Sequence, residues 1–260
     1  MYYFITDREG KDWQGRQWGE DVSHTETNDN YYFTCYQSPT VAALMVAAND
    51  EYKNHRLWVA EPFGDITNYD YREISTGMKT LREVETPTLT IEQRITFGIV
   101  CALNTVEHAL FQQWGFNWLK GKDRSKEAAA KMSDILLELM LVAQVAAGHA
   151  AVAAVALDNP TLYAACAAHR AFGDSLDGQP LNLNEIATIV TMLSAKEIGV
   201  MLSGVDDGPE DRTDQRGETP APTLQVGGEA GEVHHDHDRT ATAGHARICE
   251  GNETTVATQS

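Results

Sequence analysis

Aromatic side chains are so unevenly spread along this chain that they divide it before any periodic pattern is read. All five tryptophans and eight of the nine tyrosines precede residue 120, and the last 57 residues carry no aromatic side chain. Large rigid rings supply most of the apolar area of a small core. The first part of the chain can therefore build a ring-filled core, the middle must pack with small aliphatic residues, and the end has little to bury.

Residues 1–87 read as a small α+β module. Tyr2-Tyr3-Phe4-Ile5 is a strand candidate closed by the turn-like Asp7-Arg8-Glu9-Gly10, and Tyr31 to Tyr36 is a second, dense in strand-favouring rings. Ser38-Pro39 starts a helix, with Ser38 as N-cap and proline at the first helical position. Val41, Leu44, Met45 and Ala48 then recur at helical spacing. Leu57–Ala60 is strand-like up to a break at Pro62-Phe63-Gly64, and weaker strands are expected around Ile66–Tyr71 and Met78–Val84. The sequence order predicts a small sheet covered by one helix.

Residues 88–204 read as an all-α, alanine-rich module. Thr90-Ile91-Glu92-Gln93 is a capping box leading into a helix through Ile95, Ile99, Leu103 and Val106. Phe111–Leu119 is a shorter helix ended by Gly121, Ser125 opens one that runs to about Leu157, and two more are expected near 161–172 and 184–203. Residues 205–260 hold twelve acidic residues against four arginines, with scattered Gly, Pro and Thr. Such a segment buries too little to offset the entropy of ordering, so a disordered acidic tail is expected.

The net charge of −18 repels phosphate backbones and anionic lipid, which argues against nucleic-acid binding and favours basic partners. Cys35, Cys101, Cys166 and Cys249 form no CxxC pair and read as small buried residues of a reducing compartment. Met1–Gly10 lacks the basic and apolar regions of a secretory leader, so a cytoplasmic location is expected. Leu139–Leu157 contains no Asp, Glu, Lys or Arg and is nearly long enough for a membrane span. It is mostly alanine, however, with Gln144, Gly148 and His149 inside it, and a closely packed soluble helix is the better account. The smooth faces Ala143/Ala147/Ala151 and Ala146/Ala150/Ala154 suit core packing, with a homo-oligomer as the competing use.

Two stretches carry a family resemblance. The first is Tyr32-Phe33-Thr34-Cys35-Tyr36-Gln37-Ser38-Pro39, followed by Leu57-Trp58-Val59-Ala60-Glu61-Pro62; the second is Leu89–Ile95, leading to Trp118-Leu119-Lys120-Gly121-Lys122-Asp123-Arg124-Ser125. Together they resemble a group of uncharacterised proteins from mycobacteriophages and actinobacterial prophages, in which the Trp-Leu-x-Gly-x-Asp-Arg-Ser element precedes an alanine-rich helical region. The resemblance covers about residues 1–170 and implies a phage or prophage origin and a bacterial host cytoplasm. It brings no catalytic residues.

Trp118–Ser125 itself reads as a hinge: Trp118 anchors one helix, Gly121 supplies a left-handed turn, and Asp123 or Ser125 accepts amides of the next helix. Arg124 has Asp123 or Glu127 within reach as a partner. Lys120, Lys122 and Arg124 offer a competing use as an anion site at a helix N-terminus. Arg72, Ser75-Thr76 and Glu83-Val84-Glu85 superficially match elements of ADP-ribosyltransferases, which makes a nucleotide-using enzyme the alternative function. His234, His235 and His237 lie in the expected tail, where adventitious metal binding is the reading, since no second shell orients them. No cofactor is expected. The leading expectation is a non-enzymatic module that binds a host or phage protein through aromatic anchors among Trp13, Trp18, Tyr31 and Tyr36.

Overall fold

The computed structural model describes residues 1–27, 32–46, 54–69, 71–138, 145–155, 160–174 and 181–204. Tyr31, the acidic tail and its histidines lie outside the described residues. Five strands form an antiparallel sheet: β1 (Tyr2–Thr6), β2 (Ser23–Thr25), β3 (Phe33–Tyr36), β4 (Arg56–Tyr69) and β5 (Arg72–Val84). A short helix, α1 (Pro39–Met45), follows β3. The helices after the sheet are α2 (Ile91–Leu103), α3 (Ala109–Leu119), α4 (Lys126–Glu138), α5 (Val145–Val155), α6 (Pro160–Asp174), α7 (Leu183–Met192) and α8 (Ala195–Ser203).

Four of the strands close into a ring. β1 pairs with β4 from Tyr2 opposite Ala60 to Thr6 opposite Arg56, and meets β3 where Tyr3 faces Tyr36. β3 pairs with β5 from Phe33 opposite Ser75 to Tyr36 opposite Arg72, and β5 returns along nearly the whole of β4. β2 continues the β3 side of β5, with Ser23 opposite Lys79. Pro62-Phe63-Gly64, expected as a break, lies inside the continuous strand β4. The ladder slips between Val59 and Ala60 and again between Phe63 and Ile66. Such bulges bend a strand and sharpen its twist, as a ring this small requires. Gly64 sits at φ +80°, and a Cβ there would meet Thr76 Oγ1, so this kink needs glycine. The weaker strands expected at 66–71 and 78–84 are thus parts of one long hairpin.

Alternation along the strands sorts side chains to the two faces of the ring. Phe4, Phe33, Cys35, Trp58, Ala60 and Met78 fill its interior together with Trp18. Tyr3, Ile5, Tyr36, Leu57 and Tyr71 face the helices. The loop after β1 carries Trp18 into the ring by using carboxylates as turn formers. Asp7 Oδ1 accepts the amides of Glu9 and Lys11, and Asp12 Oδ1 accepts those of Gln14 and Arg16. Asp12 Oδ2 takes the Trp18 indole N–H at 3.1 Å and the Arg16 Nε–H at 2.7 Å.

Pro87 marks a change of secondary structure and not a break in packing. Met1–Val205 form a single compact unit, and one apolar core joins Val41, Leu44 and Leu57 to Phe97, Ile99, Phe111 and Leu183. α1 packs on α6 and α7. Buried Arg94 of α2 donates to the Ala43 carbonyl at 2.6 Å, and burial lowers its pKa. The capping box at Thr90/Gln93 and the N-cap at Ser38 form as expected.

The long helix expected from Ser125 to Leu157 is instead two, α4 and α5, which pack against each other. The stretch near 184–203 is likewise split, at Leu193-Ser194, where Ser194 and Glu197 make a capping box of their own. Ala146, Ala147, Ala150 and Ala151 are buried among neighbouring helices of the same chain. α5 is 11 residues long, about 16 Å at helical rise, against about 30 Å of hydrocarbon. Among the described residues no helix is long and apolar enough to cross a membrane.

His149, on α5, stacks on Tyr163 of α6 at 6.1 Å, and burial, helped by Arg170, lowers its pKa from the ordinary 6.5 to about 4. The fold therefore holds the neutral ring, while the unfolded chain takes up a proton near pH 6.5. This contribution to stability is complete above pH 6.5 and is lost as the pH falls to about 4, a change of about 3 kcal/mol. Urea unfolding of the protein and of His149→Leu from pH 7 to pH 4 should show the wild-type stability falling more steeply by that amount. Parallel curves would remove His149 as the cause.

Candidate functional site at the barrel mouth

At the end of the ring where β1 begins, four strands bring polar side chains together at its mouth, from buried Glu73 and Cys35 to exposed Asn68. Glu73 of β5 lies opposite Cys35 of β3 on one side and Asn68 of β4 on the other, and residues directly opposite share a face. Tyr2 arrives from β1. The Glu73 side chain is buried, at 7% exposure, and among the described residues no lysine or arginine pairs with it. Its Oε1 accepts both the Tyr2 hydroxyl and Asn68 Nδ2, the latter at 3.0 Å. Among the described residues nothing donates to Oε2. The hydrogen bond to Glu73, reinforced by burial, pushes the Tyr2 pKa up to about 12, so the phenol keeps its proton and remains a donor.

Glu73 is also part of the wall of an open groove of about 550 Å³, shared with Met1, Tyr2, Ala60, Glu61, Pro62 and Ile66. Met1 and Ile66 stand exposed on its rim. β1 covers the outer edge of β4 only as far as Ala60, so among the described residues β4 beyond that residue has a strand neighbour, β5, on one side alone. The groove therefore combines an apolar rim, an open strand edge and a half-engaged carboxylate at its base.

Acid–base or nucleophilic chemistry has little to work with here. Burial pushes the Cys35 thiol up to about 12, so the nucleophilic thiolate is scarce at neutral pH. Tyr2 is equally reluctant to ionise. A carboxylate with one occupied and one open oxygen is suited to receiving a cation or a hydrogen-bond donor.

The ADP-ribosyltransferase-like elements do not converge. Arg72 and Glu83 lie near opposite ends of β5, about 35 Å apart at extended rise. Ser75 is buried and donates to the Gly77 carbonyl, while Glu83 pairs with Arg56 at 2.9 Å. Arg72 and Glu73 are both buried, the former against Tyr69 and Tyr71 on the helix side.

The expected aromatic anchors divide. Trp13 is exposed, whereas Trp18 and Tyr36 are buried in the two cores and have no surface to offer. The Trp118–Ser125 element is a hinge with more internal bonding than its sequence suggests. Gly121 takes φ +73°, Asp123 accepts the amide and hydroxyl of Ser125, and Ser125 Oγ caps α4 through the Ala128 amide. Arg124 pairs with Glu92 at 2.8 Å, not with Asp123 or Glu127. It also donates to the Trp118 carbonyl and lies 4.5 Å over the Trp118 ring, so its charge is engaged within the hinge and is not directed at an anion. Lys120 and Lys122 sit in the same turn, with Gly199 of α8 closely packed against Lys120.

Sequence reasoning missed Tyr2, Asn68 and Glu73 as a group. The only signal was an acid between the strand-forming Tyr71 and Ile74, at a position whose alternation partner is Arg72. No protein-family model, curated protein or solved structure matches this chain.

Proposed function

We propose that this chain is a non-enzymatic protein-interaction module, phage-encoded and acting in the cytoplasm of a bacterial host, with the barrel mouth as its contact surface. The observation that carries the reading is the groove itself. Its rim is apolar at Met1, Pro62 and Ile66, its edge strand is open, and its buried acid lies beside a thiol and a phenol that both hold their protons. Open strand edges and shallow grooves are the surfaces on which extended peptides add. The acidity of the chain favours a basic partner and speeds its encounter.

Ile66→Arg places bulk and positive charge in the groove at a half-exposed position. Full-length tagged protein is expected to retain one stoichiometric partner from bacterial lysate, and Ile66→Arg to lose it with an unchanged melting temperature. Equal retention by the two proteins, or no retained partner at all, would remove the barrel mouth as the contact surface.

A further inference from the structure

The geometry points to the barrel mouth as a receptor for a basic polypeptide segment, one lysine or arginine of which seats its cationic head on Glu73 Oε2. This rests on the interaction reading above and names the chemistry of the partner. Glu73 is the anchor because its residue is more than nine-tenths buried and one of its oxygens stays open to the groove: among the described residues Tyr2 and Asn68 both reach Oε1, and neither reaches Oε2. The open oxygen at the base of the groove is matched by an incoming ammonium or guanidinium, whose N–H groups make charge-assisted hydrogen bonds to a carboxylate.

The walls fit the rest of such a side chain. Met1, Pro62 and Ile66 offer apolar contact to an aliphatic stem, as long basic residues prefer when their heads reach a polar partner. Glu61 adds a second carboxylate at the rim. The lysine facing it across the ladder, Lys79, is already paired with Asp21 at 3.1 Å. The edge of β4 from Glu61 onward favours a polypeptide over a free amine, because only a peptide can use the main-chain groups exposed there while its side chain descends to Glu73.

The test uses the full chain and three probes: an acetylated, amidated peptide of alternating lysine and alanine, the same peptide with glutamate for lysine, and spermidine. Binding is read by calorimetry and by amide shifts of the labelled protein. The lysine peptide is expected to bind and the glutamate peptide not to bind, with shifts concentrated at residues 60–66 and 73. Glu73→Gln keeps the acceptor for Tyr2 but removes the charge, and should weaken the lysine peptide about tenfold or more. The exposed Glu85→Gln should leave binding within about twofold.

Shifts located away from the groove in the wild-type protein overturn the inference, without any dependence on how well a variant folds. So does equal affinity for the two peptides, or an unaffected Glu73→Gln. Spermidine binding as tightly as the lysine peptide would overturn the polypeptide assignment. If basic peptides fail while the lysate partner is still lost on Ile66→Arg, the contact surface stands and only the cationic specificity falls.

Discussion

Trp18→Ala is expected to lower the unfolding free energy by about 4 kcal/mol, the largest single effect in the barrel. Trp18 is 2% exposed, and its ring meets Phe4 at 4.6 Å, Phe33 at 5.5 Å and His24 at 4.6 Å. Truncation would leave a void between four strands that cannot collapse, since their positions are set by closed backbone pairing. The indole N–H also satisfies Asp12, which organises the loop that delivers Trp18. Losing the ring thus loosens the segment that carries it. Trp18→Phe retains most of the volume but not the N–H, and should recover more than half of the loss. Chemical denaturation of the three proteins checks the series, and a loss under about 1 kcal/mol for alanine would show that the ring interior is not the packed core described.

The second large effect concerns the crossing of α2 and α6. A Cβ on Gly98 would lie 3.0 Å from Ala164 Cα and 3.1 Å from its carbonyl oxygen, so the two helices approach along their backbones. Valine at this position cannot be relieved by a rotamer change and must push the helices apart, at a cost of about 3 kcal/mol. Alanine is the instructive intermediate. Glycine to alanine in a helix interior gains up to about 1 kcal/mol in propensity, which at Gly98 the clash should cancel or reverse. Gly148 on α5 has nothing within 4 Å of the added carbon, and Gly148→Ala should show the full gain. A stabilising Gly98→Ala would contradict the close crossing.

What could be read from the sequence follows from the range of the interactions involved. Ser38-Pro39, Thr90 with Gln93, and the left-handed glycines at 121 and 204 are signals within a few residues, and each acts in the structure as its chemistry dictates. Mixed α+β architecture was equally legible, since it needs only the local periods. Closure of the ring was not. It depends on Tyr2 finding Ala60 and Cys35 finding Glu73, pairings that no local pattern encodes. Trp18 lies among polar loop residues, where alternation gives no hint that it turns inward. The same gap hid the candidate site, because Asn68, Glu73 and Tyr2 are neighbours only once the ring is closed. Pro62 and Gly64 misled for a related reason: they read as a stop, yet act as the bend that lets β4 go on.

The sharing of one core between the sheet and helices as distant as α7 bears on how the protein is made. α1 rests on α6 and α7, so its apolar face, Val41 to Met45, is covered by residues synthesised more than a hundred positions later. At ribosomal speeds of about 5–20 residues per second, that face waits on the order of ten seconds for its cover. During this interval the N-terminal third cannot settle into its final packing, and the nascent chain presents an apolar helix to the cell. The chain therefore completes the packing of α1 only once α6 and α7 have been made, so its fold closes late.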